Sequence, residues 1–328
     1  QGLAYAESET NSVWLWNLDT MQPTVFTGHT DQITAINESS QFPTLYTASL
    51  DGTVRSWNIF APNEMQLLVD HRRDMPIQAM VMGSAGDFYI ATCVEGSNGQ
   101  LEHLDLQTGE ALGFFGAEAE KRVYKPVLEL EYGCSDQMMV QGNELYYSDG
   151  MGFYEIEGNG LDTRRGLGFP FQTTSYSTGF YILDSGKNLF VLANRGTAFM
   201  WSPSSESGGY YDFYILFSHP NQITAFANLS PGWLYVSAAY KGYGSADGGD
   251  TFWYGADMVI TETVYFDDSD PVARHPLNAH GEIVNQIVAN KATIYEDTNL
   301  FASASEDGTV ILWGSPKEPV EMKLYIDG

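Results

Sequence analysis

Two groups of residues in this 328-residue chain have the types needed for nucleophilic hydrolysis: His29, Ser49 and Asp51, and again His280, Ser305 and Asp307. A serine, a histidine base and an orienting carboxylate are the parts of an acyl-transfer triad. Such a serine also needs an oxyanion donor and a substrate cleft beside it, and a buried serine with neither is a poor nucleophile. No catalytic residue is therefore assigned. Two acidic stretches carry oxygen ligands of the kind calcium takes. GYGSADGGDT (242–251) contains Asp247 and Asp250, and DDSDP (267–271) contains Asp267, Asp268 and Asp270. Neither follows the ligand order of an EF-hand loop, so both are read as solvated loop acids. GNGLDTRRGLG (158–168) and GSADGG lack the strand–loop–helix setting of a phosphate loop and read as turns. The two cysteines, Cys93 and Cys134, form no Cys-x-x-Cys and no His/Cys cluster, which argues against zinc and against a disulfide scaffold. One bridge between neighbouring units is open to them, but two unpaired core thiols are the expectation. No metal and no cofactor is expected.

Charge narrows the partners. Forty-two acidic against 15 basic residues give a formal net charge of −27, a field that repels a phosphate backbone. Nucleic acid is set aside, and basic or zwitterionic protein partners are favoured. A saline or lumenal environment is the other reading of the same acidity. The basic runs His71-Arg72-Arg73 and Arg164-Arg165 read as surface salt links. Nothing approaches the run of ~18–20 apolar residues that a membrane helix needs, which leaves only peripheral attachment to a membrane. The chain opens on Gln1-Gly2, as after removal of a presequence or in a fragment, and holds two sequons, Asn37-Glu-Ser and Asn228-Leu-Ser. These features permit an organelle lumen or secretion as well as the cytoplasm.

The elements that must position these residues repeat. TASLDGTVRSW (47–57) and SASEDGTVILW (303–313) are near-copies, each preceded by a histidine at a turn, in TGHTDQITAI and NAHGEIVNQI. Between and before them, Trp16, Leu104, Tyr154, Trp201 and Trp253 mark a strand recurring every ~40–50 residues. Within one repeat, ITAI (33–36) reads as an innermost strand, TLYTAS (44–49) as the second and TVRSWNI (53–59) as the third, with MQLLV (65–69) at the edge. Asp51-Gly52 reads as the two-residue turn between second and third strands. LAYAES and VWLWNL read as second and third strands of a first repeat whose innermost strand is missing. Residues before Gln1 would supply it, or the strand in 318–327 would close the ring; that strand is assigned to the outer edge of the last repeat.

The Gly-His (or Ala-His), the Ser-x-Asp-Gly-Thr-Val and the closing Trp together resemble the WD repeat of the WD-repeat β-propeller family. The resemblance is strong in residues 28–60 and 279–314 and degenerate elsewhere; Trp-Asp itself never occurs, and Trp-Asn occurs twice. It implies an all-β, seven-bladed propeller of four-stranded antiparallel blades, the first incomplete in this chain. The whole of 1–328 would be one domain, with blades roughly at 1–27, 28–70, 71–116, 117–166, 167–217, 218–278 and 279–328. It also gives the two triads another meaning. His29, Ser49, Asp51 and Trp57, and His280, Ser305, Asp307 and Trp313, become internal networks in which the indole bonds the serine, the serine the histidine and the histidine the turn aspartate. In this family the second-to-third-strand turns and the loops between blades share one face. Two long stretches there, Lys241–Asp250 and Asp267–His280, would stand side by side in the sixth repeat. Tyr240, Tyr243, Asp247, Asp250, Asp267, Asp268, Asp270 and Arg274 are the expected partner contact. The function implied is a non-catalytic interaction scaffold or accessory subunit binding other proteins within a multi-subunit complex. An acidic lumenal or secreted subunit docked on a membrane complex is one alternative. A propeller hydrolase or isomerase with carboxylates at the channel mouth is another.

Overall fold

The structure, a computed structural model, describes residues 2–39, 43–71, 75–93, 98–118, 121–130, 133–135, 138–148, 153–157, 160, 165–166, 177–183, 189–194, 197–202, 212–218, 223–230, 234–246, 250–262, 273–277, 280–289, 301–314 and 322–325. Every element among them is a β-strand, and none is a helix able to cross a membrane. The chain divides into two units, Gln1–Ser175 and Tyr176–Gly328.

The first unit opens with a three-stranded sheet, β1 (Gly2–Glu7), β2 (Ser12–Asn17) and β3 (Gln22–Phe26), in that order. These are the strands expected for a repeat lacking its innermost member. The second sheet is a four-strand meander, β4 (Ile33–Glu38), β5 (Thr44–Ser49), β6 (Thr53–Asn58) and β7 (Ala61–Asp70). Strand β5 is buried on both faces, and its period of two sorts its side chains between neighbours. Leu45 packs with Val13, Phe26, Ile33 and Trp57, towards the first sheet. Tyr46 and Ala48 pack with Ile77, Phe88 and Leu104, towards the third. Each large apolar side chain so buried is worth about 1.5–3 kcal/mol. Polar links tie the inner strands as well: Thr34 Oγ1 donates to the Ile77 carbonyl at 2.8 Å and Asn37 Nδ2 to the Met80 carbonyl at 3.2 Å. The half-buried Asn37 amide is thus committed to the neighbouring sheet rather than presented as a glycan acceptor; the side chain of Asn228 lies outside the described residues.

The third sheet holds β8 (Ile77–Met82), β9 (Asp87–Thr92) and β10 (Gln100–Asp105), but its outer strand comes in two pieces. Ala111 bridges Leu104, while β13 (Val127–Glu129) pairs with Gln100–Glu102. Between the pieces a separate hairpin departs, made of β11 (Phe114–Glu118) and β12 (Lys121–Lys125). The sheet therefore reaches past residue 116, to Glu129. The turn before the hairpin needs a glycine: Gly109 has φ +70°, and a Cβ there would stand 2.1 Å from the Leu68 carbonyl oxygen of β7. At the other end of β10, Cys93 and Cys134 form a disulfide, with Cα atoms 5.4 Å apart. The expectation of unpaired thiols is corrected. The bridge lies where the chain on either side of β10's start is already strapped together: Gly99 N–H donates to the Gly133 carbonyl at 2.7 Å, and Leu130 N–H to that of Gly99 at 2.9 Å. The fourth sheet follows as β14 (Met138–Gln141), β15 (Glu144–Ser148), β16 (Phe153–Glu157) and β17 (Arg165–Gly166).

The second unit repeats the meander three times. Its sheets are β18 (Ser177–Leu183), β19 (Leu189–Asn194), β20 (Thr197–Ser202) and β21 (Asp212–Ser218); then β22 (Ile223–Ser230), β23 (Leu234–Ala246), β24 (Asp250–Glu262) and β25 (Ala273–Leu277); then β26 (Val284–Ala289), β27 (Phe301–Ser305), β28 (Thr309–Trp313) and β29 (Met322–Tyr325). Ala225, Ala238 and Met258 pack against Val284, Ile287, Phe301 and Trp313, joining the last two sheets. Strand β29 pairs with β28 at the outer edge, where the sequence placed it.

Candidate functional site: polar braces and a lengthened ribbon

The two near-copies build the same side-chain relay, by a hydroxyl the sequence reading did not select. Trp57 lies opposite Leu45, and its indole reaches the diagonal neighbour Thr47 on the same face of β5. Trp57 Nε1 donates to Thr47 Oγ1 at 2.8 Å, Thr47 Oγ1 meets His29 Nε2 at 2.7 Å, and His29 Nδ1 meets Asp51 Oδ2 at 2.9 Å. The second copy runs Trp313 Nε1 to Ser303 Oγ at 2.8 Å, Ser303 Oγ to His280 Nε2 at 2.7 Å, and His280 Nδ1 to Asp307 Oδ2 at 3.3 Å. The network hydroxyls are thus Thr47 and Ser303, and Ser49 and Ser305 are corrected out of the relay. Their place is two residues on, at the turn. Gly52 N–H donates to the Ser49 carbonyl, so Leu50 and Asp51 are the central residues and Gly52 follows at φ +80°. This is a type I turn with a glycine bulge rather than a two-residue Asp-Gly turn. Ser49 Oγ accepts from Asp51 N–H at 3.0 Å and donates to the Asp31 carbonyl at 2.9 Å. Ser305 does the same with Asp307 N–H and the Glu282 carbonyl, each at 3.2 Å.

Proton order along the relay follows from the donors. The indole can only donate, so the Thr47 hydroxyl gives its own proton to His29 Nε2, and Nδ1–H is left for Asp51. A neutral ring suffices. Burial lowers the His29 pKa, and Asp51 offsets this only in part. Burial raises the Asp51 carboxyl, but bonds from Thr53, the Thr30 N–H and His29 outweigh it and hold the group below the usual carboxylate range. Asp307 is held low in the same balance, by Thr309, Gly281 N–H and His280. Ser303, His280 and Asp307 have the connectivity of a hydrolytic triad, yet Ser303 is 1% exposed and its oxygen already accepts the Trp313 indole proton. A substrate carbonyl has no route to it. The relay instead satisfies buried polar groups between strands.

The third sheet, which lacks the tryptophan, carries a different brace. His103 stacks on Tyr89 across the β9–β10 pair, with ring centroids 4.4 Å apart. Its Nε2 meets Asp87 Oδ2 at 2.7 Å and its Nδ1 meets the Gly113 carbonyl at 3.2 Å. The hydrogen bond from His103 holds Asp87 below its ordinary pKa. Nearby, His71 Nε2 and Glu102 Oε1 lie 2.8 Å apart, an ion pair at hydrogen-bond distance though outside hydrogen-bond alignment, and Glu102 raises the His71 pKa. Neither pair was found from sequence. The signal present was His103 two positions before Asp105, in the repeat whose tryptophan is missing.

The sixth sheet departs from the others in strand length. Strands β23 and β24 are 13 residues each, and what read as an expanded turn over Lys241–Asp250 is mostly paired strand. The pairing runs from Leu234↔Glu262 at one end to Ala246↔Asp250 at the other. Strand β22 stops pairing at Ala239 and β25 at Met258. From Tyr240 and Ala256 outward the two strands continue as a ribbon of two, roughly 20–24 Å long at strand rise. Tyr240, Tyr243 and Asp250 lie in this ribbon, with Tyr243 opposite Trp253. Asp247 falls outside the described residues, between Ala246 and Asp250. Arg274 does not join them. It pairs with Thr261 at the opposite end of the sheet. Asp267, Asp268 and Asp270 lie outside the described residues. Of the expected contact residues that the structure describes, Tyr240, Tyr243 and Asp250 therefore lie at one end of the sheet and Arg274 at the other. ARHPL falls within the stretch 267–280 read as an inter-repeat loop, but it forms the outermost strand β25, where proline is tolerated on the unpaired side. Among the described residues no group of three or more His, Cys, Asp or Glu side chains is placed to hold a metal ion.

Antiparallel four-strand meanders recurring along the chain, braced by buried Trp–hydroxyl–His–Asp relays, are the blade units of propeller proteins. Residues 21–58 and 272–314 match the WD domain, G-beta repeat, so the resemblance to the WD40 repeat family is partial along the chain. Similar solved structures include the β-propeller domain of Cps50 (Swd1) from Myceliophteria thermophila, at 14% identity and a TM-score of 0.64, covering 95% of this chain and 93% of that one. That likeness is one of fold. Among curated proteins, none matches by sequence.

Proposed function

We propose that this chain is a non-catalytic interaction scaffold, an accessory subunit of a larger protein assembly. In this reading the seven meanders close as a seven-bladed ring spanning 1–328, and the β23–β24 ribbon is the principal partner contact. The observation that carries it is the ribbon itself. It is a two-stranded arm on a blade that otherwise follows the meander, and elements extended from a rigid repeat scaffold are where binding concentrates. The arm's sequence, KGYGSADGGDTFWY, supplies aromatic anchors in Tyr243, Phe252, Trp253 and Tyr254 and acids in Asp247 and Asp250. That combination suits a basic protein partner. The propeller-enzyme alternative gains no support from the relays, whose hydroxyls are buried and already bonded. Replacing 244–252 by an Asn-Gly turn keeps the Tyr243↔Trp253 pair and removes the tip. Co-purification of partners from the native source should then be lost while the melting temperature is kept; full retention of partners would sink this assignment.

A second reading concerns compartment. The Cys93–Cys134 bridge favours an acidic propeller subunit in an oxidising lumen or outside the cell, where disulfides persist. Alkylation of the unreduced native protein should label neither cysteine. Two labelled thiols would place it in a reducing compartment.

A further inference from the structure

Past the points where β22 and β25 stop, the β23–β24 ribbon has an open backbone edge on each side. Among the described residues no third strand pairs with Tyr240–Ala246 of β23 or with Asp250–Asp257 of β24. Each edge leaves a row of N–H and C=O groups without ladder partners. A ribbon of two strands is marginal in water, and three or more strands are needed for a sheet to stand by itself. Natural edges that must stay single are blunted by lysine, proline or bulges. Over Leu234–Glu262 there is no proline and one lysine, Lys241 on β23. The register shifts of the ribbon both fall at its root, where Gly255 is passed over between Ala256 and Tyr254, and Gly242 between Lys241 and Tyr243. Beyond them, Tyr243–Ala246 and Asp250–Trp253 pair without a break.

The two edges differ. On β23 the open stretch carries Lys241, Gly242 and Gly244, whereas β24 carries Thr251, Phe252, Trp253 and Tyr254, four strand formers in a row with no charge, proline or glycine. Such a run on an open edge is a template for another copy of itself. We propose that the open edge of β24 pairs with β24 of a second copy of this chain, antiparallel about a two-fold axis, in the strand order β23–β24–β24–β23. Symmetry and charge select this occupant. An antiparallel pair of identical strands is self-complementary. With the axis at Phe252, Thr251 of each copy stands opposite Trp253 of the other, and Asp250 opposite Tyr254. The two Asp250 residues are then about 13 Å apart and the two ribbon roots at Ala256 about 27 Å apart at strand rise. Both spacings exceed the Debye length of about 8 Å at physiological salt, so two acidic chains can meet at this edge. A basic strand from elsewhere finds no acid between Thr251 and Tyr254 to favour it. This goes beyond the partner reading: there the ribbon receives a basic protein, and here its edge joins two scaffolds.

The test is sedimentation equilibrium of the purified chain by itself. So short a contact lies well below the roughly 1,200 Å² of a standard interface, so the dimer is a weak one, formed at concentrations on the order of 100 µM. Its fraction should rise as NaCl goes from about 10 to 150 mM, because the Debye length shrinks from roughly 30 Å to about 8 Å and the acidic chains repel less. Thr251→Lys/Trp253→Lys and Thr251→Glu/Trp253→Glu should each lose the dimer, since like charges then face each other across the axis. An equal mixture of the two variants should restore it, because the facing charges become opposite. That rescue also shows that both ribbons still form. A wild type that stays monomeric at every concentration would overturn the proposal. So would a dimer that persists in both variants, a mixture that is not rescued, or association that weakens with salt. A monomeric chain whose ribbon still retains native partners overturns this proposal alone. A dimer that co-purifies with no partner overturns the partner reading alone.

Discussion

At the scale of single residues, the relays are stability devices, and their worth follows from what each change leaves unpaired. Thr47→Val removes the acceptor of the Trp57 indole and the donor to His29 while nearly keeping shape. We expect it to destabilise by about 1–3 kcal/mol in denaturant unfolding, the range for orphaned buried polar groups. Ser303→Ala should behave alike. The pH dependence follows from the shifted groups. His29 titrates lower folded than unfolded, so its contribution is full above about pH 6.5 and is lost as pH falls towards its folded pKa. Asp51, Asp87 and Asp307 are likewise depressed, and their contributions are full above about pH 4 and lost below it. His71, raised by Glu102, has the opposite sign: its contribution is full below about pH 6.5 and is lost as pH rises through its folded pKa. The two histidines act with opposite sign in adjoining windows, His71 above about pH 6.5 and His29 below it, while the carboxylates add. Melting temperature should therefore be highest at about pH 6.5, fall gently on either side and drop steeply below about 4, and Asp51→Asn/Asp307→Asn should flatten the steep branch. A uniform slope across both ranges in calorimetry would contradict these assignments. From sequence, the histidines, aspartates and tryptophans of the relays were legible because their spacing is distinctive. The hydroxyl was misplaced by two because Thr47 and Ser49 share a strand face, and only three-dimensional register separates a brace from a turn.

At the scale of elements, the disulfide and one glycine make the sharpest predictions. The Cys93–Cys134 bridge spans a sequence separation of 41. Cys93→Ser/Cys134→Ser should cost about 2–4 kcal/mol in unfolding experiments, with reductant lowering the wild type to the same level. Gly109→Ala forces a Cβ onto the Leu68 backbone carbonyl and retains a positive φ, so it should destabilise by more than about 1 kcal/mol. An unchanged midpoint would show that the turn can move away from β7. The meander was readable wherever a Trp or its substitute closed a strand, and the second and last sheets follow the sequence reading closely. The ribbon was not readable, because Gly242, Gly244 and Ser245 suggest a loop, although cross-strand pairing carries Gly244 and Ser245 and a register shift takes up Gly242. The split outer strand was equally hidden, since pieces as short as Val127–Glu129 have no period to read.

At the scale of the whole molecule, a net charge of −27 on 328 residues sets a standing self-repulsion. Raising NaCl from about 10 mM to 500 mM shrinks the Debye length from roughly 30 Å to a few ångström, and the melting temperature should rise. A fall would mean that local ion pairs such as His71–Glu102 outweigh the global field. The fold class was legible at this scale because a repeat is a property of the whole chain. Partner chemistry was less so, because it depends on which residues a sheet gathers at one end, as Arg274 opposite Thr261 demonstrates.

The position of the disulfide has a consequence for how the chain breaks. The hairpin with Lys121, Arg122 and Lys125 lies between Cys93 and Cys134 in sequence. A single tryptic cut there cannot release either fragment, since the bridge spans the nick. Limited digestion should leave a band of full apparent mass without reductant and yield two shorter chains with it. A protease that reaches this rim would thus produce a two-chain protein that stays covalently whole.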